Sequence, residues 1–307
     1  MVKNRNMDLH STDPSADAHD HSAGEWQQWD PAEAPIAWMR KAMVVEARRV
    51  WSAPWGTRRR KNASVLVRDC NLALRESLIY SFVGDAASVG DTASEPADSR
   101  IATTSSTAAT TPSVSATSTT AVAPRASASA ASILHVLAGQ ERISSGIVSV
   151  FGESPYDNAR TMDSTVLAGV SVRYPAQWRV DRVLRTAARR YPNWEDDFAE
   201  MVSRAFQLDL STKVNHLSTQ ARTLLSAVVA VAARAPLTLW DRPCEGLSPE
   251  RRKLVMQTLV ADCAAHPRTV VMNQADRRAD SLVHASADRL LVVSGGTVVG
   301  DLPTEDA

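Results

Sequence analysis

The chain has 307 residues, enough for one large domain or two small ones. Its 34 basic and 34 acidic side chains balance, so no global charge attracts the protein to nucleic acid or to acidic lipid. The longest apolar run spans residues 224–233, which is shorter than the about 20 residues that a bilayer requires. Three scattered cysteines fit a reducing cytoplasm and predict no disulfide framework.

Residues 1–62 are predicted to form an N-terminal extension before the main domain. The beginning of this extension is polar and acidic, a composition typical of disordered chain. The stretch IAWMRKAMVVEARRVW, residues 36–51, indicates a helix over part of its length. A basic run follows at residues 58–61, which is interpreted either as solvated surface or as a face that contacts phosphate or anionic lipid.

The main domain is predicted to cover residues 63–307 and to begin with two strands. ASVLVRDCNLAL alternates apolar and polar residues, and SLIYSFVGD is a compact apolar run that reaches Gly84. Residues 85–132 are then rich in Ala, Ser and Thr, which bury too little apolar surface to offset the entropy lost on ordering the backbone. We predict that this segment is a disordered insert.

Ordered patterns resume at residue 133 and alternate between helix and strand. ILHVLAG has helical spacing and ends in Gly139, and SSGIVSVFG reads as a turn followed by a strand. Residues 174–234 predict a helical subdomain, and Ser218 is placed to cap its long apolar helix. The segments APLTLWD, RTVVMNQ and DRLLVVSGGTVVGD predict strands, with a helix beginning after Ser248 between the first two. Such alternation predicts an α/β fold in which helices cover a parallel or mixed sheet.

The order of these pieces resembles the ATP-binding subunit of an ABC transporter, above all the bacterial export type. The matching pieces are the strand to Gly84, the helix ending in LAG, LSTQA, the strand ending in WDRP, GLS and the strand pair around Gly-Gly. The resemblance implies a P-loop NTPase-like sheet core with a helical subdomain, and ATP and Mg²⁺ as cofactors. It also implies a transmembrane permease as partner, a homodimer or a heterodimer with another cassette, no nucleic acid, and a cytoplasmic position at the inner face of the membrane through the permease.

The family's phosphate loop, G-x-x-x-x-G-K-[S/T], is disrupted in this chain. Its backbone N–H groups wrap the phosphates, its lysine holds the outer phosphates, and its hydroxyl binds Mg²⁺. Gly84 begins the loop, and counting back from LAG puts Ala130 at the lysine position and Ser132 at the second hydroxyl. The resemblance therefore assigns nucleotide binding to Gly84 and Ser132, while a plain connection between strand and helix is the alternative interpretation. Counting forward from Gly84 instead puts Asp91 near the lysine position, so both alignments lack the lysine.

The strand LTLWD ends in Asp241, which the resemblance assigns to Mg²⁺ through its water shell. A loop aspartate that caps a nearby turn is the alternative. The next residue is Arg242, where the family has the glutamate that orients the attacking water. Because a guanidinium has no acceptor and stays protonated, Arg242 cannot perform that task, and we predict no catalytic residue in this chain. Arg242 is expected to pair with phosphate oxygens or with a carboxylate such as Glu245.

Two further positions complete the nucleotide site that the resemblance implies. In LSTQA, Ser218 remains at the position that faces a partner's nucleotide, although Gln220 replaces a glycine that allows close approach. Ser218 as a helix cap alone is the alternative. Gln177 lies near the family's coupling glutamine. The family's switch histidine is missing, since alignment offers Ala275 or Arg278 there.

Several functions remain open on these residues. The first is a cassette subunit of a membrane exporter that has lost hydrolysis and acts with a permease, with or without a competent partner cassette. A second is an active ATPase subunit completed by its partner. A third is an adaptor that binds no nucleotide and uses its basic and tail segments, and a fourth is a gene under little constraint. Loss of a positioned cation and a base usually costs several powers of ten in rate, which favours the first function.

Overall fold

A computed structural model describes residues 35–47, 63–84, 126–274 and 282–304. Its centre is a six-stranded sheet in the order β5-β6-β7-β3-β8-β9. The strands are β3 (Ile79–Gly84), β5 (Thr165–Gly169), β6 (Leu237–Asp241), β7 (Thr269–Asn273), β8 (Arg289–Ser294) and β9 (Thr297–Pro303). Five of them run parallel and β9 is antiparallel to β8, so the predicted α/β fold with a parallel or mixed sheet is confirmed.

A second sheet contains β1 (Ala37–Ala47), β2 (Ala63–Leu74) and β4 (Ser145–Val150), with β1 in the middle and all pairs antiparallel. The sequence predicted a helix over part of β1, and this prediction is wrong. The buried side chains of β1 are spaced by two residues on either side of a register shift between Met39 and Ala42, where Lys41 has φ of +46°. Because of this bulge, the buried residues Met39 and Ala42 are three positions apart, a spacing that is also typical of helices.

The predicted boundary of the main domain at residue 63 differs from the structure. Strand β1 pairs with β2 and β4, and the compact unit that contains both sheets begins at Pro35. The predicted insert also ends earlier than residue 132, because the helix α1 covers Ala126–Leu137. The remainder of that insert, residues 85–125, lies outside the described residues, as do residues 1–34 and the basic run at 58–61.

The helices are α1, α2 (Ala159–Asp163), α3 (Val180–Arg190), α4 (Asp196–Ala205), α5 (Thr219–Ala232), α6 (Pro249–Ala265) and α7 (Leu282–Ala285), with a 3₁₀ turn at Val214–His216. The sequence predicted the helices within residues 174–234, the helix after Ser248 and the second half of α1, but not the two short helices α2 and α7. Ser218 and Ser248 cap α5 and α6, their hydroxyls accepting from the backbone N–H of Ala221 and Arg251 at 3.1 and 3.4 Å. Within the described ranges, no helix has the length and apolarity that crossing a bilayer requires.

The strand alternation divides the core between the two faces of the large sheet. Leu237 and Leu239 of β6 face α1 and the antiparallel sheet, while Trp240 faces the layer that contains α5 and α6. Helix α1 is therefore covered on both sides, and Ile133, Leu134 and Leu137 are fully buried. This sandwich fixes the first turn of α1 against the ends of the parallel strands.

Candidate functional site

The carboxyl ends of the parallel strands carry the polar groups of the candidate site. Asp241 is the last residue of β6, Asn273 the last of β7 and Gly84 the last of β3. Asp241 pairs with Asn273 across the β6–β7 ladder, while Asn273 pairs with Phe82, two residues before Gly84. Because β7 lies between β6 and β3, Asp241 and Gly84 are on the same edge of the sheet but not on neighbouring strands.

A buried amide joins this edge to the start of α1. Asn273 Nδ2 donates to Asp241 Oδ1 at 2.7 Å and to the carbonyl oxygen of Ser127 at 3.1 Å. Ser127 lies in the first turn of α1, and all three residues are buried. Two strands and a helix thus meet at one polar contact in an otherwise apolar interior, where satisfied hydrogen bonds specify a single arrangement.

The neighbouring strand β5 approaches Asp241 closely through a glycine. Gly169 has φ of +107°, and a Cβ atom there would lie 1.8 Å from the carbonyl oxygen of Asp241. That carbonyl accepts from the N–H of Val170 at 3.1 Å, and Gly169 N–H donates to Ser226 Oγ at 2.5 Å. Only glycine fits this position, so β5 and α5 hold the backbone of Asp241 in place.

Arg242 stands beside the buried carboxylate. Its backbone has φ of +49°, and its N–H donates to the carbonyl oxygen of Asn273 at 3.0 Å. The Nε atom is 4.0 Å from Asp241 Oδ1 and makes no hydrogen bond to the residues that the structure describes. The Arg242 side chain is 40% exposed, whereas that of Asp241 is 4% exposed. The arginine is therefore a charge neighbour of Asp241 that remains open to solvent.

Ser132 does not join this constellation. It lies in the second turn of α1, and its buried hydroxyl donates to Glu141 Oε2 at 2.7 Å, in the turn that follows the helix. The hydroxyl is thus committed away from Asp241, because α1 begins at Ala126 and the strand-proximal turn holds Ser127 instead. Gly84 ends its strand as predicted, and the loop after it lies outside the described residues.

The other two predicted nucleotide contacts lie on separate surface segments. Ser218 is exposed and its hydroxyl caps α5 through Ala221 N–H. Gln177 is exposed in a turn closed by the N–H of Trp178, which donates to the carbonyl oxygen of Pro175 at 3.0 Å. No hydrogen bond among the described residues connects either side chain to Asp241. The Ser218 hydroxyl therefore makes the bond expected of a helix cap, which was the alternative interpretation of this residue.

Sequence reasoning missed Ser127, Gly169 and Asn273. Asn273 ends a strand in RTVVMNQ just as Asp241 ends one in LTLWD, and strand ends of a parallel sheet share one edge. That shared position was the signal for Asn273. Ser127 had no signal, because it lies in a segment whose composition predicts disorder. The two alignments for the switch histidine, Ala275 and Arg278, lie outside the described residues.

The residues present do not fit a Mg²⁺ ion at Asp241. One oxygen of this carboxylate already accepts from Asn273, and a guanidinium stands 4.0 Å away, where it would repel a divalent cation. The Ser132 hydroxyl donates a hydrogen bond to Glu141 Oε2, away from Asp241. The part of the chain that the structure describes has no group of three His, Cys, Asp or Glu able to hold a metal. A metal bound directly to Asp241 Oδ1 would have to compete with Asn273 and with the nearby guanidinium.

The site nevertheless keeps unused hydrogen-bonding capacity. Ser129 Oγ in α1 and Gln274 Oε1, one residue beyond β7, are buried without hydrogen-bond partners in the described structure. Burial of a polar atom without a partner costs about 1–3 kcal/mol, which a polar ligand or an ordered water recovers. Gln274 directly follows Asn273, and Ser129 lies two residues after Ser127 in the first turn of α1.

Solved structures share this arrangement of sheet and helices over most of their length. A dimeric bacterial ABC transporter cassette, MJ0796, superposes with a TM-score of 0.59 at 13% identity, covering 88% of this chain and 99% of its own. The ATP-binding subunit of another ABC transporter superposes with a TM-score of 0.57 at 13% identity, covering 88% of this chain and 91% of its own. The chain has the fold of an ABC transporter ATP-binding cassette. At 13% identity, these superpositions establish the fold of this chain and not its activity.

One stretch of the sequence is also similar to that of an ABC transporter ATP-binding protein. The ABC transporter ATP-binding protein YtrB of Bacillus subtilis is 29% identical over 84 residues, which are 27% of this chain and 29% of YtrB. The chain therefore matches less than a third of that relative's length. No family model matches the sequence. The predicted resemblance to an ABC cassette is confirmed by these likenesses.

Proposed function

We propose that this protein is the ATP-binding-cassette subunit of a membrane exporter that does not hydrolyse ATP by itself. The observation that carries the proposal is the arginine beside the buried aspartate at the strand edge, with 4.0 Å between Arg242 Nε and Asp241 Oδ1. In a cassette this position needs an acceptor that orients water. A guanidinium has five N–H donors and no acceptor, so it cannot align or deprotonate a water molecule.

The phosphate-binding side supports the same conclusion. Ala130, at the lysine position of the resemblance, is fully buried in α1 and carries no charge. Ala131 follows at the position where the family's motif has its metal-binding hydroxyl, and Ser132 Oγ donates to Glu141 Oε2 in the turn after α1. A triphosphate bound here would lack both a positioned cation from the loop and a metal-binding hydroxyl. Such losses of electrostatic stabilisation usually reduce a rate by several powers of ten.

The proposed role retains weak nucleotide binding and assembly. MJ0796 has been seen as a dimer bound to ADP and phosphate, and its cassette covers 88% of this chain at a TM-score of 0.58. We extend this to a homodimer or a heterodimer with a competent cassette, docked on a permease at the cytoplasmic face of the membrane. Gly84, Ser218 and Gln177 are the nucleotide-side residues of this proposal, and no nucleic-acid partner is included.

Phosphate release and thermal unfolding of the full chain test the proposal together. We expect phosphate release at the background rate, and a modest nucleotide-dependent increase in Tm. A ligand at about 100 times its Kd would stabilise the fold by about 2.7 kcal/mol. Release above background that disappears in Asp241→Asn, but not in the exposed control Asp301→Asn, would overturn the loss of hydrolysis. Absence of any shift with ATP or ADP would instead favour the adaptor function.

Co-expression tests the partner. A permease from the same gene neighbourhood should retain the chain in the membrane fraction, and the chain should return to the supernatant when that permease is omitted. Hydrolysis that appears only when a second cassette is added would favour the function in which a partner completes the site. The chain remaining in the supernatant with every neighbouring permease would reject the transporter role.

A further inference from the structure

The charge of Asp241 is compensated from within the chain. The side chain is 4% exposed, and a buried carboxylate requires a cation or hydrogen bonds to remain ionised. Asn273 supplies one hydrogen bond to Oδ1 at 2.7 Å. Arg242 is the positive side chain that the described residues bring within 4.0 Å of that same oxygen. The carboxylate therefore has a protein cation beside it, 4.0 Å from Oδ1.

The backbone keeps Arg242 at this place. Its left-handed conformation, with φ of +49°, is anchored by its N–H bond to Asn273 and by Glu245 N–H, which donates to the carbonyl oxygen of Arg242 at 3.3 Å. A non-glycine residue adopts this conformation only when the surrounding contacts impose it. The backbone thus fixes the Cα–Cβ direction of Arg242 beside Asp241, and the side-chain rotamer places Nε 4.0 Å from Oδ1.

We propose that Arg242 is the resident cation of this site and that it replaces Mg²⁺ at Asp241. A divalent ion would need near-octahedral oxygen ligands at about 2.0–2.1 Å, yet Oδ1 accepts from Asn273 and the guanidinium repels a second cation. The half-exposed arginine also presents a charge to anions from solvent, and guanidinium groups pair with phosphate oxygens in two-pronged contacts. The ligand class is therefore a metal-free nucleotide phosphate, an extension that rests on the proposed function.

The test uses Mn²⁺ as a paramagnetic probe for Mg²⁺, with the full chain and without nucleotide. Free Mn²⁺ is measured by electron paramagnetic resonance during titration of wild type, Arg242→Gln, Arg242→Lys and the double variant Asp241→Asn, Arg242→Gln. We expect no saturable site in wild type or Arg242→Lys, because both carry the cation. Arg242→Gln should gain one site at least about tenfold tighter than any wild-type binding, and the double variant should lose it.

Two outcomes would overturn this proposal. One is a saturable Mn²⁺ site in wild type that Asp241→Asn abolishes. The other is a folded Arg242→Gln, judged by circular dichroism and cooperative unfolding, that gains no Mn²⁺ affinity. If Arg242→Gln does not fold, Arg242→Ala is titrated with Mn²⁺ in its place, and the same two outcomes would overturn the proposal.

The nucleotide extension has its own readout. The Tm increase caused by ATP should be equal with excess EDTA and with excess Mg²⁺ in wild type, whereas Mg²⁺ should enlarge it in Arg242→Gln. A wild-type increase that needs Mg²⁺ would reject the extension. No increase under either condition would reject the proposed nucleotide binding, while the Mn²⁺ titration would still decide the role of Arg242.

Discussion

Two buried aspartates stand at opposite ends of the parallel strands, and their surroundings differ. Asp262 of α6 lies near the amino ends of β6 and β7, where Arg234 Nη2 contacts Oδ1 at 2.9 Å and His266 Nδ1 lies 3.3 Å from the same oxygen. Arg268 Nη1 approaches Oδ2 to 2.7 Å, as a charge contact rather than an aligned hydrogen bond. Asp241, at the carboxyl ends, has an amide and a single guanidinium at 4.0 Å.

Asp262 is an aspartate held by several ion pairs, whereas Asp241 lies at the carboxyl ends of the parallel strands. Both side chains are almost fully buried, at 3% for Asp262 and 4% for Asp241. The first is surrounded by cations that the loops before β6 and β7 supply, and one of them, Arg268, is itself 2% exposed. The second is held mainly through its backbone and one amide. Removing the Asp262 carboxylate and removing the Asp241 carboxylate should therefore change the stability of the fold by different amounts.

The largest effect is expected from Asp262→Asn. The substitution leaves the buried Arg268 without its anion and removes one of the two carboxylates that contact Arg234, the other being Glu195. Breaking a buried ion pair costs about 3–5 kcal/mol. Urea denaturation of the full chain measures this loss. Asp301→Asn is the matched control, because its partner Arg289 and Asp301 itself are 32% and 40% exposed, and its cost should stay below about 1 kcal/mol. Equal costs would remove the distinction between core and surface pairs.

The next effect concerns the backbone of Asp241. Gly169→Ala would put a Cβ atom 1.8 Å from the Asp241 carbonyl oxygen, at a φ of +107°, so β5 and β6 must separate. We expect a loss of about 3 kcal/mol or more in the free energy of unfolding. Gly152→Ala is the control at φ of +82° with no atom within 4 Å, where only the left-handed conformation costs about 1–2 kcal/mol. Similar values for both would show that strain, and not contact with Asp241, dominates.

A third substitution removes the amide that joins the strand edge to α1. Asn273→Ala deletes the bonds to Asp241 and Ser127 and leaves a buried carboxylate short of a donor, for a cost of about 2 kcal/mol. Asn193→Ala is the counterpart near Asp262, since this exposed amide gives one bond, to the carbonyl oxygen of Arg234 at 3.1 Å. Its cost should be about 0.5 kcal/mol, and thermal unfolding separates the two. A ranking in the other order would contradict the bridging role of Asn273.

The smallest effect tests whether Ser218 does more than cap a helix. Ser218→Ala and Ser248→Ala each remove an N-cap hydroxyl, and each should lower stability by about 1 kcal/mol. The decisive measurement is the nucleotide-dependent change in Tm, which both variants should retain equally in the isolated chain. A selective loss in Ser218→Ala would indicate that its hydroxyl contacts phosphate and that the site extends far beyond Asp241.

Much of the fold follows from local pattern. The apolar runs LTLWD and TVVMN form β6 and β7, and Ser218 and Ser248 begin α5 and α6 through the cap bonds that serine at these positions favours. Strand β1 could not be predicted in the same way. Its bulge at Lys41 shifts the phase of the buried side chains, and only pairing with β2 and β4 makes an extended conformation favourable there.

The candidate site, like the fold, has parts that follow from local sequence and parts that depend on contacts between distant residues. Local sequence is enough to establish that a strand ends in Asp241, that an arginine follows it, and that no lysine stands in either alignment of the phosphate loop, because these are properties of neighbouring residues. Tertiary contacts alone show that Asn273 bonds both Asp241 and Ser127, that Gly169 lies against the Asp241 carbonyl, and that Ser132 bonds Glu141. The contacts of Asn273 and Gly169 join residues far apart in the chain, and they form because a parallel sheet brings separate strand ends and one helix to a common edge.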